Sequence, residues 1–176
     1  TTRPPAMVLK SKTFLLREPK LLEDDYVYPA GLARQRMVWS VRGEEWRVRL
    51  AAAQYSFAGI VFRRPFDFSG NRPGFALMFS VRPADMIPYL SVGLADGSRV
   101  MTDKPLSACE TGRSFSWTHV TVRLDALGDE GAVIGGAGAE SKPLLRPVNW
   151  AGIREIRVTG LGDGRPDREI EIQDLR

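Results

Sequence analysis

Along this chain, short stretch after short stretch alternates apolar and polar residues one for one, and that period rules out most folds before any motif is considered. Leu77, Phe79 and Val81 alternate with Met78, Ser80 and Arg82. Leu90, Val92 and Leu94 oppose Ser91 and Gly93, and Val120, Val122 and Leu124 oppose His119, Thr121 and Arg123. Met37 and Trp39, Trp46, Val48 and Leu50, Ile156 and Val158, and Ile170 and Ile172 repeat the pattern. In an extended chain successive side chains point to opposite faces, so each stretch reads as a strand with one apolar face. Such half-buried strands belong to antiparallel sheets that share a core. No segment carries a helical period of useful length.

Gly, Pro, Asp and Asn punctuate the strands, as at Asp96-Gly97 and Gly162-Asp163-Gly164. Many short strands with turn residues between them predict an antiparallel β-sandwich. Leu77, Phe79, Leu90, Val92, Val120, Val122, Ile156 and Ile172 are its expected interior, because a one-residue slip in register would expose all of them. The chain has 176 residues, the size of one ordinary domain. Residues 1–176 are therefore taken as one unit, with 1–20 as an N-terminal strand or extension. The Gly- and Ala-rich stretch 128–142 is expected to be a long surface loop.

Composition excludes several classes of function. One Cys and one His leave no disulfide framework and no zinc site built from those residues. Cys109 has no neighbouring base in sequence to activate its thiol. The net charge of +4 comes from scattered Arg rather than a basic block, which argues against nucleic acid as a partner. No apolar run is long enough to span a bilayer, and no signal-peptide pattern is present. Neither a phosphate-binding Gly loop nor a Gly-x-Ser-x-Gly elbow occurs, so the residues point to binding rather than catalysis.

The order of features from Leu21 onward carries a family resemblance. An acidic opening, Leu21-Leu22-Glu23-Asp24-Asp25-Tyr26, precedes Tyr55-Ser56-Phe57-Ala58-Gly59-Ile60-Val61 and Phe66-Asp67-Phe68-Ser69-Gly70. Then come Trp117-Thr118-His119-Val120, Asn149-Trp150-Ala151-Gly152-Ile153, and the closing Ile170-Glu171-Ile172-Gln173-Asp174-Leu175. This sequence of motifs resembles galactose-binding-like jelly rolls, above all family-eleven-type carbohydrate-binding modules. Complex I intermediate-associated proteins, which are assembly factors, share the pattern.

The resemblance implies a jelly roll that binds polysaccharide or oligosaccharide, carried in a secreted or periplasmic parent protein with neighbouring domains. It also implies a structural calcium between the first and last strands, with Glu23, Asp24, Asp25 and Asp174 as oxygen donors. Sugar binding calls for rings that stack on pyranose faces and polar groups that bond hydroxyls. Tyr55 and Tyr89 are the candidate rings, with Tyr89 expected on the polar face of its strand. Arg82, His119, Arg123 and Arg157 are the candidate polar groups, converging if their strands are neighbours. Because Arg outnumbers aromatic residues in that set, the glycan is expected to be acidic. Trp39, Trp46, Trp117 and Trp150 are expected to be structural. A protein-interaction or assembly domain on the same scaffold, and a glycan-active enzyme, are the competing readings.

Overall fold

In a computed structural model of the chain, residues 5–8, 22–28, 37–40, 43–51, 56–134, 144–162, 169–173 and 175 are described. They form two β-sheets packed face to face. The strands are β1 (Met7–Val8), β2 (Leu22–Tyr28), β3 (Met37–Ser40), β4 (Gly43–Ala51), β5 (Phe57–Asp67), β6 (Ala76–Arg82) and β7 (Leu90–Asp96). They continue as β8 (Val100–Pro105), β9 (Glu110–Ser114), β10 (Trp117–Arg123), β11 (Glu130–Val133), β12 (Arg146–Pro147), β13 (Ile153–Gly160) and β14 (Glu169–Gln173).

One sheet has eight strands in the order β1-β5-β13-β7-β8-β11-β12, with β2 also on β5. The other has six, in the order β3-β4-β14-β6-β10-β9. Every pairing is antiparallel except that of β1 with β5. The chain crosses repeatedly between sheets, which is the jelly-roll arrangement.

All eight residues expected in the interior are buried. Leu77, Phe79, Val120, Val122 and Ile172 come from the six-stranded sheet and Leu90, Val92 and Ile156 from the other. Phe62 packs edge-on against Phe66 at 4.6 Å between ring centroids, and Phe68 against Phe75 at 5.4 Å. Aromatic pairs of this kind add about 0.5–1.5 kcal/mol beyond their burial. Among the described residues no helix is long and apolar enough to cross a membrane.

Two expectations need correction. Strand β7 is buried on both faces, including Ser91 and Ala95, because it lies between β13 and β8 in the middle of its sheet. The stretch 128–142 is not loop throughout, since β11 occupies 130–133 and pairs with β8 and β12. The glycine that suggested a loop is what allows this pairing: a Cβ on Gly131 would collide with the Met101 carbonyl. Residues 135–143 lie outside the described set.

Candidate functional site

The candidate residues divide between the outer faces of the two sheets. Strands β6 and β10 are neighbours, with His119 opposite Ser80 and Thr121 opposite Met78. Arg82, His119 and Arg123 therefore share the outer face of the six-stranded sheet. His119 Nδ1 shares a 2.7 Å hydrogen bond with the Ser80 hydroxyl. Arg82 donates from Nε to Glu171 at 2.8 Å, and its guanidinium lies 4.2 Å from the centroid of the Trp117 ring. Trp117 is thus a half-buried ring on the outer face rather than a core residue. Arg123 is exposed and closes a two-pronged pair with Asp125, at 3.1 and 2.8 Å.

Arg157 stands on the other sheet, so the single groove expected from the sequence does not form. Strand β13 pairs with β5 and β7, and Arg157 faces Gly59 on one side and Gly93 on the other. Those glycines in turn face Tyr26 on β2 and Asp103 on β8. The result is a row across five strands, Tyr26–Gly59–Arg157–Gly93–Asp103, spanning about 19 Å at the usual strand spacing. Arg157 donates from Nε to the Tyr26 hydroxyl at 2.7 Å and stacks over Phe57, 4.2 Å from its ring centroid. Glu155, two residues along the same strand, holds a carboxylate oxygen 3.6 Å from Arg157 Nε. That oxygen is buried without a hydrogen-bond partner, so the pair acts through space.

The glycines shape this row. The phenol end of Tyr26 lies over Gly59, whose missing Cβ would also sit 2.9 Å from the Ile156 carbonyl oxygen. The Met101 side chain lies over Gly93 in the same way. Burial, and then the neighbouring Glu155 carboxylate, push the Tyr26 hydroxyl far above the ordinary phenol range, against the pull of Arg157. At the far end of the row Asp103 is exposed to water, yet burial raises its carboxyl above the usual value.

Tyr89 is not on the polar face of a strand. It ends a 3-10 turn, Ala84–Tyr89, in which Pro88 interrupts the extended pattern, and its ring packs against the core. Tyr55 lies outside the described residues, as does Asp174, and so do the side chains of Asp25, Trp39 and Trp46. Trp150 is buried, as expected, beneath Arg72 at 4.0 Å.

Of the acidic residues expected to hold calcium, Glu23 is engaged by Arg154. No three His, Cys, Asp or Glu side chains converge among the described residues, which include neither Asp174 nor the Asp25 side chain.

Sequence reading missed Tyr26, Phe57, Glu155 and Asp103 as site residues. Glu155 carried a signal, being two residues from Arg157 and so on the same strand face. The other three join the site only through the order of strands in the sheet.

No family model and no curated protein matches the chain. Among solved structures, the fold is similar to the family 11 carbohydrate-binding module of a cellulosomal cellulase of Clostridium thermocellum. The identity is 12%, the match covers 95% of this chain and 93% of that one, and the TM-score is 0.52. A family 11 module from Clostridium thermocellum in complex with a β-1,3-1,4-mixed-linked tetrasaccharide overlays with a TM-score of 0.48. Its identity is 11%, over 86% of this chain and 85% of that one. An exo-β-agarase gives 0.48 at 12% identity, this chain matching over 95% of its length to 24% of that chain. The first likeness establishes the jelly-roll fold that the motif order implied.

Proposed function

We propose that this chain is a non-catalytic carbohydrate-binding domain that receives a glycan on the outer face of its eight-stranded sheet. One observation carries the reading: the Tyr26 hydroxyl and the Phe57 ring, both half-buried, stand in a row that ends at the exposed Asp103 and are held from within by the buried Arg157–Glu155 pair. Sugar hydroxyls both donate and accept, so a phenol hydroxyl and a carboxylate next to an aromatic ring suit them. The fold shared with a carbohydrate-binding module supports this reading by analogy. In keeping with it, the domain would act in a secreted or periplasmic parent protein.

The charge pattern bears on which glycan. Arg82 and Arg123 each pair with a carboxylate, and Arg157 is bonded to Tyr26 beside Glu155. Among the described residues these three arginines are therefore not bare guanidinium groups, and a neutral glycan suits the eight-stranded face better than the acidic one expected from the sequence. A calcium ion between the first and last strands would rest on Asp174 and at least one of Glu23, Asp24 and Asp25, with one Glu23 oxygen already engaged by Arg154.

Calorimetric titration with a panel of neutral β-glucan oligosaccharides tests the proposal. Binding should change little with salt and weaken about tenfold in Tyr26→Phe, the loss expected of one hydrogen bond of about 1–1.5 kcal/mol. Asp103→Ala, an exposed change that leaves the core alone, should weaken it as well. Binding that survives both substitutions would move the site elsewhere. In the same preparations, excess EDTA lowers Tm if calcium is held by the native state, and an unchanged Tm removes the ion.

A further inference from the structure

Two residues other than glycine hold a positive φ among the described residues, Arg99 at 63° and Phe115 at 55°. Bulky side chains seldom adopt this left-handed region. At Arg99 the surroundings impose it. The buried Asp96 carboxylate accepts from the backbone of Ser98 at 2.9 Å, Val100 at 3.0 Å and Asn149 at 2.9 Å, and so ties the β7–β8 turn to the loop before β13. No described residue holds Phe115 in this way. With Ser116 it forms the two-residue turn between β9 and β10, a place where Gly, Asn or Asp is usual, and its side chain is wholly exposed. A strained turn that lifts an apolar ring into water points to a role outside the single chain.

The strand that leads to this turn is equally open. Strand β9 ends the six-stranded sheet, and all five of its residues are exposed. Ser114 and Trp117 flank a two-residue turn, so they exchange both main-chain hydrogen bonds, as Gly112 and His119 do two steps on. The N–H and C=O groups of Thr111 and Arg113 therefore point out from the sheet edge, where no described strand meets them. A free edge of this kind accepts a further strand.

Strand β9 is complementary to itself. A two-fold axis through Gly112, perpendicular to the sheet, sets Thr111 opposite Arg113 of a second copy, Glu110 opposite Ser114 and Gly112 opposite Gly112. The outward groups of Thr111 and Arg113 then meet in hydrogen-bonded pairs, and no two like charges stand directly opposite. The glycines approach most closely, and nothing lies within 4 Å of the place a Cβ would occupy. The same register carries Phe115 alongside Cys109 of the second copy. There a cavity of about 200 Å³ has Ala108, Cys109, Val122 and Ala126 as its apolar lining. That is smaller than the ~300–1,000 Å³ of small-molecule sites and nearer the scale of one side chain.

We propose that this chain forms a two-fold dimer by pairing β9 with β9 of a second copy, each Phe115 ring entering the cavity beside Cys109 of the other. The pairing is independent of the carbohydrate reading, and only its consequence rests on that reading. Because the axis is perpendicular to the sheet, the eight-stranded outer faces of both copies point the same way, and one polysaccharide can meet two sites.

Sedimentation velocity at rising concentration, with no ligand present, tests the pairing, since an interface this small is expected to be weak. The chain should pass from monomer to dimer. Phe115→Gly, which relaxes the turn, should melt no lower yet associate roughly tenfold more weakly, the loss expected of one buried ring. Thr111→Pro, which removes an outward N–H and none that reaches β10, should remain monomeric. Cysteine cross-linking reads the register. Gly112→Cys in a Cys109→Ser background should form a disulfide dimer roughly tenfold faster than Ser114→Cys in the same background. Only position 112 meets its own copy, at the ~4.5 Å Cα separation of a non-hydrogen-bonded pair, which a disulfide can span. Equal cross-linking at the two positions, association undiminished in Thr111→Pro or Phe115→Gly, or a monomer at every concentration would overturn the proposal.

Discussion

The outer faces of the two sheets carry the same small device in different surroundings. On the six-stranded sheet Arg82 stacks on Trp117 at 4.2 Å and pairs with Glu171. On the eight-stranded sheet Arg157 stacks on Phe57 at 4.2 Å and pairs with Glu155. Arginine, ring and carboxylate recur, but the side chains of Arg82 and Glu171 are 41% and 32% exposed, against 10% and 13% for Arg157 and Glu155. Water screens the first pair and competes for its hydrogen bonds, so its geometry costs little to lose. The second pair has already given up its hydration, so each partner depends on the other. Chemistry of the same kind is decoration on one face and framework on the other.

The largest predicted difference follows from this. Arg157→Ala strands the Glu155 carboxylate inside the protein and should destabilise the fold by about 3–5 kcal/mol. Arg82→Ala should cost no more than about 1 kcal/mol. Urea unfolding midpoints measure both, and equal losses would show that burial does not separate the two faces. The arginines show how far the sequence could be read. Period-two alternation located the interior residues because it is a property of each strand alone. It could not reveal that β13 joins a different sheet from β6 and β10, because partner choice is set by long-range packing. Tyr26 and Arg157 are separated by 131 positions and meet only because β5 lies between their strands.

Glycines sharpen the comparison at a smaller scale. Gly59 lies under the Tyr26 ring in the Arg157 row, while Gly112 faces His119 with nothing within 4 Å of the place a Cβ would occupy. Gly59→Ala must displace both a ring and the neighbouring backbone, and should cost about 1–3 kcal/mol, the usual penalty of overpacking. Gly112→Ala should change stability by less than about 0.5 kcal/mol, as surface substitutions do. Thermal melts of the two variants compare them directly. Comparable losses would mean that the two faces are equally crowded.

The smallest effect concerns protons. Burial raises the Asp103 carboxyl above its unfolded value of 3.8, so the folded state holds a proton more tightly than the unfolded chain does. Stability from this group is therefore greatest in acid and falls as pH rises from about 3.8 through the raised folded value. Asp103→Asn should raise Tm slightly at neutral pH, and the gain should vanish in acid. A gain that persists below pH 3 would assign it to packing rather than to the charge.

Asp96 has a consequence beyond holding two loops together. Its three hydrogen bonds go to backbone N–H groups, which every residue but proline possesses. The Ser98 side chain can therefore be exchanged without loosening the knot that sets its position, whereas the Asn149 side-chain oxygen also holds Ala151 N. Surface chemistry at position 98 is separable from stability, and variants there can inherit the same rigid frame. A library randomised at position 98, with Asp96 and Asn149 kept, should yield mostly folded proteins, as thermal melts would show.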